Sequence, residues 1–170
     1  MSEPTRVLGR IEREGDAVAV VFDRHYATTK ADLWAACTEP DRLARWFAPV
    51  SGDLREGGTF TIHFDDADTP VCRVIRCAPP ERLVWEWPVG EVAGLVTVGV
   101  ATDGDGARLT LRHERLTPAQ APGYAAGWDT YVRSLDAYLR GADGPDWDAM
   151  WSALHELYAA ASTSGAADPC

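Results

Sequence analysis

Apolar residues recur at every second position in three stretches of this chain. Phe60, Ile62 and Phe64 alternate with Thr59, Thr61 and His63; Leu83, Trp85 and Trp87 are interleaved with Val84 and Glu86; Leu109, Leu111 and His113 alternate with Thr110, Arg112 and Glu114. A period of two belongs to a strand with one buried face. Residues 59–64, 82–87 and 107–116 are therefore expected strands, with two more at 71–77 and 95–101. The separators Asp65-Asp66, Pro79-Pro80, Pro88-Val89-Gly90 and Asp103-Gly104-Asp105-Gly106 are too short for a parallel crossover, which predicts an antiparallel meander with one apolar face.

Upstream, 18–26 reads as a first strand after a Gly15-Asp16 turn, ended by Thr28 and Thr29. A short helix over 30–37 carries Leu33 and Trp34, and the Glu39-Pro40 break hands over to a second. Its Leu43, Trp46 and Phe47 share a face, Thr38 or Asp41 is the expected cap, Pro49 stops it, and Gly57-Gly58 opens the strands. After a loop at 118–123 the period changes: Trp128, Val132, Leu135 and Leu139 form a stripe over 124–139, widened by Tyr131 and Tyr138 and ended by Gly141. That helix is expected to cover the apolar sheet face. A last amphipathic segment with Trp147, Trp151, Leu154 and Tyr158 follows a Gly144-Pro145 hinge. It is expected to fold back on its own domain, with a homodimer interface as the alternative.

At 170 residues the chain suits one domain with a substantial core. We expect a flexible N-terminus at 1–8, a single domain over 9–161 that includes the extra helix at 146–161, and a disordered tail at 162–170. The formal charge of −10 argues against nucleic acid and anionic lipid surfaces as partners. No apolar stretch near the start resembles a secretory signal, and none could span a bilayer, so a cytoplasmic location is expected. Cys37, Cys72, Cys77 and Cys170 lack paired spacing and read as free thiols, and His25, His63, His113 and His155 are dispersed; neither a metal nor a cofactor is expected.

Among chemistry-bearing groups, His113 shares parity with Leu109 and Leu111 and should point inward, where it needs a partner: a neighbouring strand or Tyr131. An inward imidazole could also orient a ligand carbonyl or act as a general base, with Tyr131 or Asp129 as the nominated companion. His25 and His155 read as surface residues, and Asp65-Asp66-Ala67-Asp68 as a solvated turn. The Gly52 to Gly58 run lacks a phosphate loop's Lys-Ser/Thr ending, and no nucleophile elbow is present.

A strand, two short helices, a meander and a long closing helix resemble the helix-grip fold of the START-like, birch-pollen-allergen-like (SRPBCC) superfamily. Leu33-Trp34-Ala35-Ala36-Cys37-Thr38-Glu39-Pro40, Arg45-Trp46-Phe47-Ala48-Pro49, Asp53-Leu54-Arg55-Glu56-Gly57-Gly58, the Pro79 to Trp87 run, the Gly106 to His113 run and Gly127-Trp128 are similar to the branch named after the activator of the ninety-kilodalton heat-shock-protein ATPase. Two positions depart from that pattern: Thr29 stands where the branch usually has proline, and Asp129 and Tyr131 where it often has histidines. The resemblance implies an α+β helix-grip fold: a curved antiparallel sheet wrapped around a long C-terminal helix, two short helices after the first strand, and here an extra C-terminal helix. It also implies a cavity between sheet and long helix. The expected aromatic wall is Trp46, Phe47, Phe60, Trp85, Trp87, Trp128 and Tyr131, with Ile62, Leu111, His113 and Leu135 completing it. The expected partner is a small hydrophobic or aromatic molecule, bound without a catalytic residue. A polyketide cyclase, dehydratase or hydrolase using the same cavity is one alternative, and a chaperone- or stress-linked interaction module another.

Overall fold

A computed structural model describes residues 8–88 and 90–166. Its strands are β1 (Arg10–Glu14), β2 (Ala17–Tyr26), β3 (Val50–Gly52), β4 (Thr59–Ile62), β5 (Val71–Ala78), β6 (Arg82–Trp87), β7 (Gly94–Asp103) and β8 (Gly106–Leu116). Helices α1 (Lys30–Thr38) and α2 (Pro40–Trp46) lie between β2 and β3, and α3 (Ala121–Leu139) and α4 (Trp147–Ala166) follow β8. All strands join one antiparallel sheet in the order β1-β2-β8-β7-β6-β5-β4-β3, so only the β2–β8 pairing is non-sequential. This is the helix-grip α+β architecture: a curved, unclosed sheet with the long helix against it.

The alternation holds strand by strand. Leu83, Trp85 and Trp87 on β6, Val96, Val98 and Val100 on β7, and Leu109, Leu111 and His113 on β8 are buried. Cross-strand partners such as Trp85 with Val96 and Val98 with Leu111 put these residues on one face. From α3, Trp128, Val132 and Leu135 close over that face. The Tyr26 hydroxyl donates to the Val132 carbonyl at 3.0 Å, and the Trp46 indole donates to Ala36 O at 2.9 Å.

Two strands went unforeseen, and both are edges. β1 has Ile11 as its one apolar residue, and Arg112 reaches over from β8 to pair with Glu12 at 2.8 Å and with Glu14. A charged edge discourages pairing with another chain, and it also removes the alternating signal. β3 is three residues long.

Several boundaries shift for local reasons. Neither Thr38 nor Asp41 caps α2: Glu39 occupies the N-cap without a side-chain bond, Pro40 opens the helix, and the Thr38 hydroxyl donates to Trp34 O at 2.7 Å. Thr29, expected only to end a strand, caps α1 by accepting from Asp32 N at 3.1 Å. β4 stops at Ile62, two residues early, as His63 N turns to Pro49 O at 2.8 Å. The expected loop at 118–123 already contains the first turn of α3. Gln120 Oε1 accepts from Thr117 N at 2.9 Å while Thr117 Oγ1 accepts from Gln120 N at 3.2 Å, a reciprocal capping box just ahead of Ala121, and Pro122 falls in the first turn, where a proline fits a helix.

α4 folds back onto α3, burying Leu154 and Tyr158. It runs to Ala166, so 162–166 are helical where a disordered tail was expected. The remaining tail and nearly all of the expected flexible N-terminus, at 167–170 and 1–7, lie outside the described residues, as does Cys170. Among the described residues no helix is long and apolar enough to cross a membrane.

Candidate functional site

Phe47 terminates α2, Phe64 follows β4, Trp87 ends β6, and Tyr124, Trp128 and Tyr131 recur on α3 at spacings of four and three, one side of a helix. These elements bring the rings together. Phe47 stacks on Trp128 with centroids 5.7 Å apart and meets Tyr131 edge-on at 4.8 Å. Phe64 stacks on Trp87 at 5.8 Å, and Trp87 meets Trp128 edge-on at 5.6 Å. α4 extends the array: Tyr131 contacts Trp147 at 5.7 Å, and Trp147, Trp151 and His155, one helical turn apart, stack in series at 6.4 and 4.7 Å. Together they wall an open cleft of about 940 Å3.

Of the residues expected to line a cavity, Phe47, Trp87, Trp128 and Tyr131 lie on this wall. Trp46, Phe60, Ile62, Trp85, Leu111, His113 and Leu135 do not; they are core, fully or almost fully buried. Strand parity identified the inward face but could not separate the filled middle of the grip from its open end. Phe64, Tyr124, Trp147 and Trp151 were missed as wall residues, and His155, read as surface, stacks at the mouth. The i, i+4, i+8 spacing of Trp147, Trp151 and His155 was the available signal.

His113 lies beneath the floor, its ring 5.4 Å from Trp87 and 4.9 Å from Tyr124. Its partner is neither of the two expected, a neighbouring strand or Tyr131, but Trp128, whose Nε1 donates to His113 Nδ1 at 3.0 Å. An indole nitrogen only donates, so Nδ1 accepts and the neutral ring carries its proton on Nε2. That nitrogen is buried, with no hydrogen-bond partner among the described residues. It sits over Gly94, where a Cβ would come within 2.5 Å of it. Burial pushes the imidazole pKa down to about 4. With one nitrogen engaged and the other protonated, His113 has no lone pair to offer a substrate, and neither ring nitrogen bonds Tyr131 or Asp129.

Asp129 faces away from His113. Fully buried, it accepts from the Tyr158 hydroxyl at 2.7 Å and from Arg133 Nε at 2.8 Å, with Arg24 at 3.8 Å. Tyr158 in turn accepts from Gly9 N at 2.6 Å. This cluster ties α3, α4 and the start of β1 together.

The cleft's charged and titratable lining is acidic and imidazole-bearing, Asp65, Asp68, Asp148, His63 and His155, joined by the Gln120 amide, and among the described residues no Lys or Arg lines it. Asp65 organises its loop by accepting from Ala67 N and Asp68 N, the expected turn role. His63 Nε2 lies 2.7 Å from the Ser51 hydroxyl. Burial raises the Tyr124 and Tyr131 hydroxyl pKa values, and the nearby Asp68 carboxylate adds to both. Among the described residues no three His, Cys, Asp or Glu side chains group as a metal site would require, and Cys37, Cys72 and Cys77 are free.

The family described as Activator of Hsp90 ATPase homolog 1-like protein matches residues 27–140, well over half of the chain. The chain belongs to this family. The match takes in α1 through α3 and stops before α4. A solved structure of CalU16 from Micromonospora echinospora is 28% identical, with a TM-score of 0.79, over 93% of this chain and 99% of that one. That overlap leaves about a dozen residues uncovered, fewer than the 20 of α4, so the similarity reaches into α4. DynU16, a protein in the dynemicin biosynthetic locus, is 25% identical with a TM-score of 0.65, over 75% of this chain and 48% of that one. EF2215 from Enterococcus faecalis, 15% identical with a TM-score of 0.77 over 92% of this chain and 91% of that one, is alike in fold alone. No curated protein matches.

Proposed function

We propose that this member of the family binds a small hydrophobic, aromatic molecule in the cleft between the end of the sheet, α3 and α4. The observation that carries the reading is the convergence of Phe47, Phe64, Trp87, Trp128, Tyr131, Trp147 and Trp151 around about 940 Å3. A volume of that order suits a drug-sized ligand. A ligand burying roughly 400 Å2 of apolar area gains about 10 kcal/mol. Association removes at least ~4 kcal/mol of that, leaving a Kd no tighter than about tens of micromolar.

Binding is preferred to turnover because His113, the imidazole nominated as a base, is committed to Trp128 outside the cleft lining, and the nominated Asp129 lies in a separate, satisfied cluster. The chaperone-linked alternative calls for an exposed apolar patch. Among the described residues the large exposed apolar side chains are divided over three places: Val71 and Ile75 on β5, Val92 in the loop before β7, and Trp147 and Leu157 on α4, where Trp147 already belongs to the cleft wall. The location of DynU16 in a biosynthetic locus supports natural products of comparable size as the first ligands to try.

The test is titration with N-phenylnaphthylamine, a neutral fluorescent arene, alongside native mass spectrometry of the protein as purified. Saturable one-to-one binding, a raised Tm and at least fivefold weaker binding by Tyr131→Ala are expected. Absence of saturable binding together with an unchanged Tm overturns the reading.

A further inference from the structure

The acidic lining of the cleft carries a second message, which rests on the binding reading above. Asp65 and Asp68 come from the loop after β4 and Asp148 from the first turn of α4, so the carboxylates approach the aromatic wall from two sides. Among the described residues none of the three forms an ion pair, and no Lys or Arg lines the cleft. The Asp68 charge is felt inside, where it opposes ionisation of both wall tyrosines. The aromatic half of the site has the same preference. Trp147 and Trp151 stack with their ring planes 15° apart at the mouth beside Tyr131, and indole faces attract cations through their negative quadrupole.

We infer that the cleft selects cationic aromatic ligands, amine-bearing ring systems whose arene enters the aromatic wall while the ammonium rests between Asp68 and Asp148. Carboxylate, phosphate and acyl-thioester ligands of nucleotide type are disfavoured, because each would place an anion among three carboxylates without ion-pair partners, with no Lys or Arg and only the imidazoles of His63 and His155 to receive it. A partly exposed ion contact at ordinary salt changes affinity by a few-fold per carboxylate, so a spread on the order of tenfold separates cation from anion.

The deciding experiment uses one arene with three charges: naphthylmethyl-trimethylammonium, naphthylmethanol and naphthylacetate, competed against N-phenylnaphthylamine on the full chain at low salt. The expected order is cation, then neutral, then anion, spread over about tenfold. The Asp68→Asn, Asp148→Asn double variant should collapse the spread, whereas Asp105→Asn, on the β7–β8 turn outside the cleft, should keep it. Added salt should weaken the cation selectively. Equal binding of all three, or tighter binding of the acetate, overturns the charge selection and leaves the aromatic cleft standing. Failure of every probe, the neutral one included, overturns both.

Discussion

Trp128 and Asp129 are neighbours in sequence, yet they serve regions built on opposite principles. Trp128 belongs to the side of α3 that faces the cleft, where rings meet rings and the buried polar atom below them, His113 Nε2, has no hydrogen-bond partner among the described residues. Asp129 belongs to the side that faces α4, where a fully buried carboxylate meets Tyr158 and Arg133 with Arg24 nearby. The first region is adaptable in content and gains from whatever apolar surface enters it. The second is specified by charge and geometry, so that removing one member strands the rest. A helix can present a binding wall on one side because its other side is locked.

Four outcomes would break or sharpen that contrast. Asp129→Ala removes the buried carboxylate that Arg133, Arg24 and the Tyr158 hydroxyl share, and should cost about 3–5 kcal/mol in urea unfolding. A loss under ~1 kcal/mol would mean that the cluster does not hold α4.

The cleft side should fail through acid. His113 takes up a proton near pH 6.5 when unfolded but stays neutral in the fold down to about pH 4. Between those values the unfolded state binds more protons, so the stabilisation is complete above pH 6.5 and is lost as pH falls toward 4. At about 1.4 kcal/mol per pH unit the loss approaches ~3 kcal/mol. His113→Gln keeps an acceptor for Trp128 without a titrating ring and should flatten the stability profile in that window. A profile unchanged by the substitution would remove His113 as its source.

Gly94→Ala places a methyl group 2.5 Å from His113 Nε2 and should cost about 1–3 kcal/mol by forcing the ring off its site. The shift should register as altered Trp128 fluorescence. The mildest change, Tyr158→Phe, keeps the ring and loses two hydrogen bonds, to Asp129 and from Gly9 N. It should cost about 1–2 kcal/mol and leave N-phenylnaphthylamine binding at the wild-type level.

Much of the fold was legible. Leu109, Leu111 and His113 announced an inward strand face, and the stripe from Trp128 to Leu139 announced the helix that covers it. Where the reading failed, the signal was absent or local chemistry competed with it. β1 is charged because it is an edge, and β3 is too short to show a period. The start of α3 was hidden behind Pro122 and Gly123 although Thr117 and Gln120 spell a capping box. The site was less legible than the fold. Trp85 and Trp87 share a strand face, yet the first is core and the second lines the cleft, a difference in position along the grip that alternation cannot express.

The sequence by itself determined the meander, the helices and the inward orientation of His113, because periods of 2 and 3.6 and the Gly and Pro punctuation are local properties of a chain. The tertiary structure decided which partner each buried group would meet. His113 and Trp128 lie 15 residues apart, Asp129 and Tyr158 29, and Gly9 and Tyr158 149. Those pairings depend on where α3 crosses the sheet and how α4 folds back across α3, and that placement follows from packing the whole core at once.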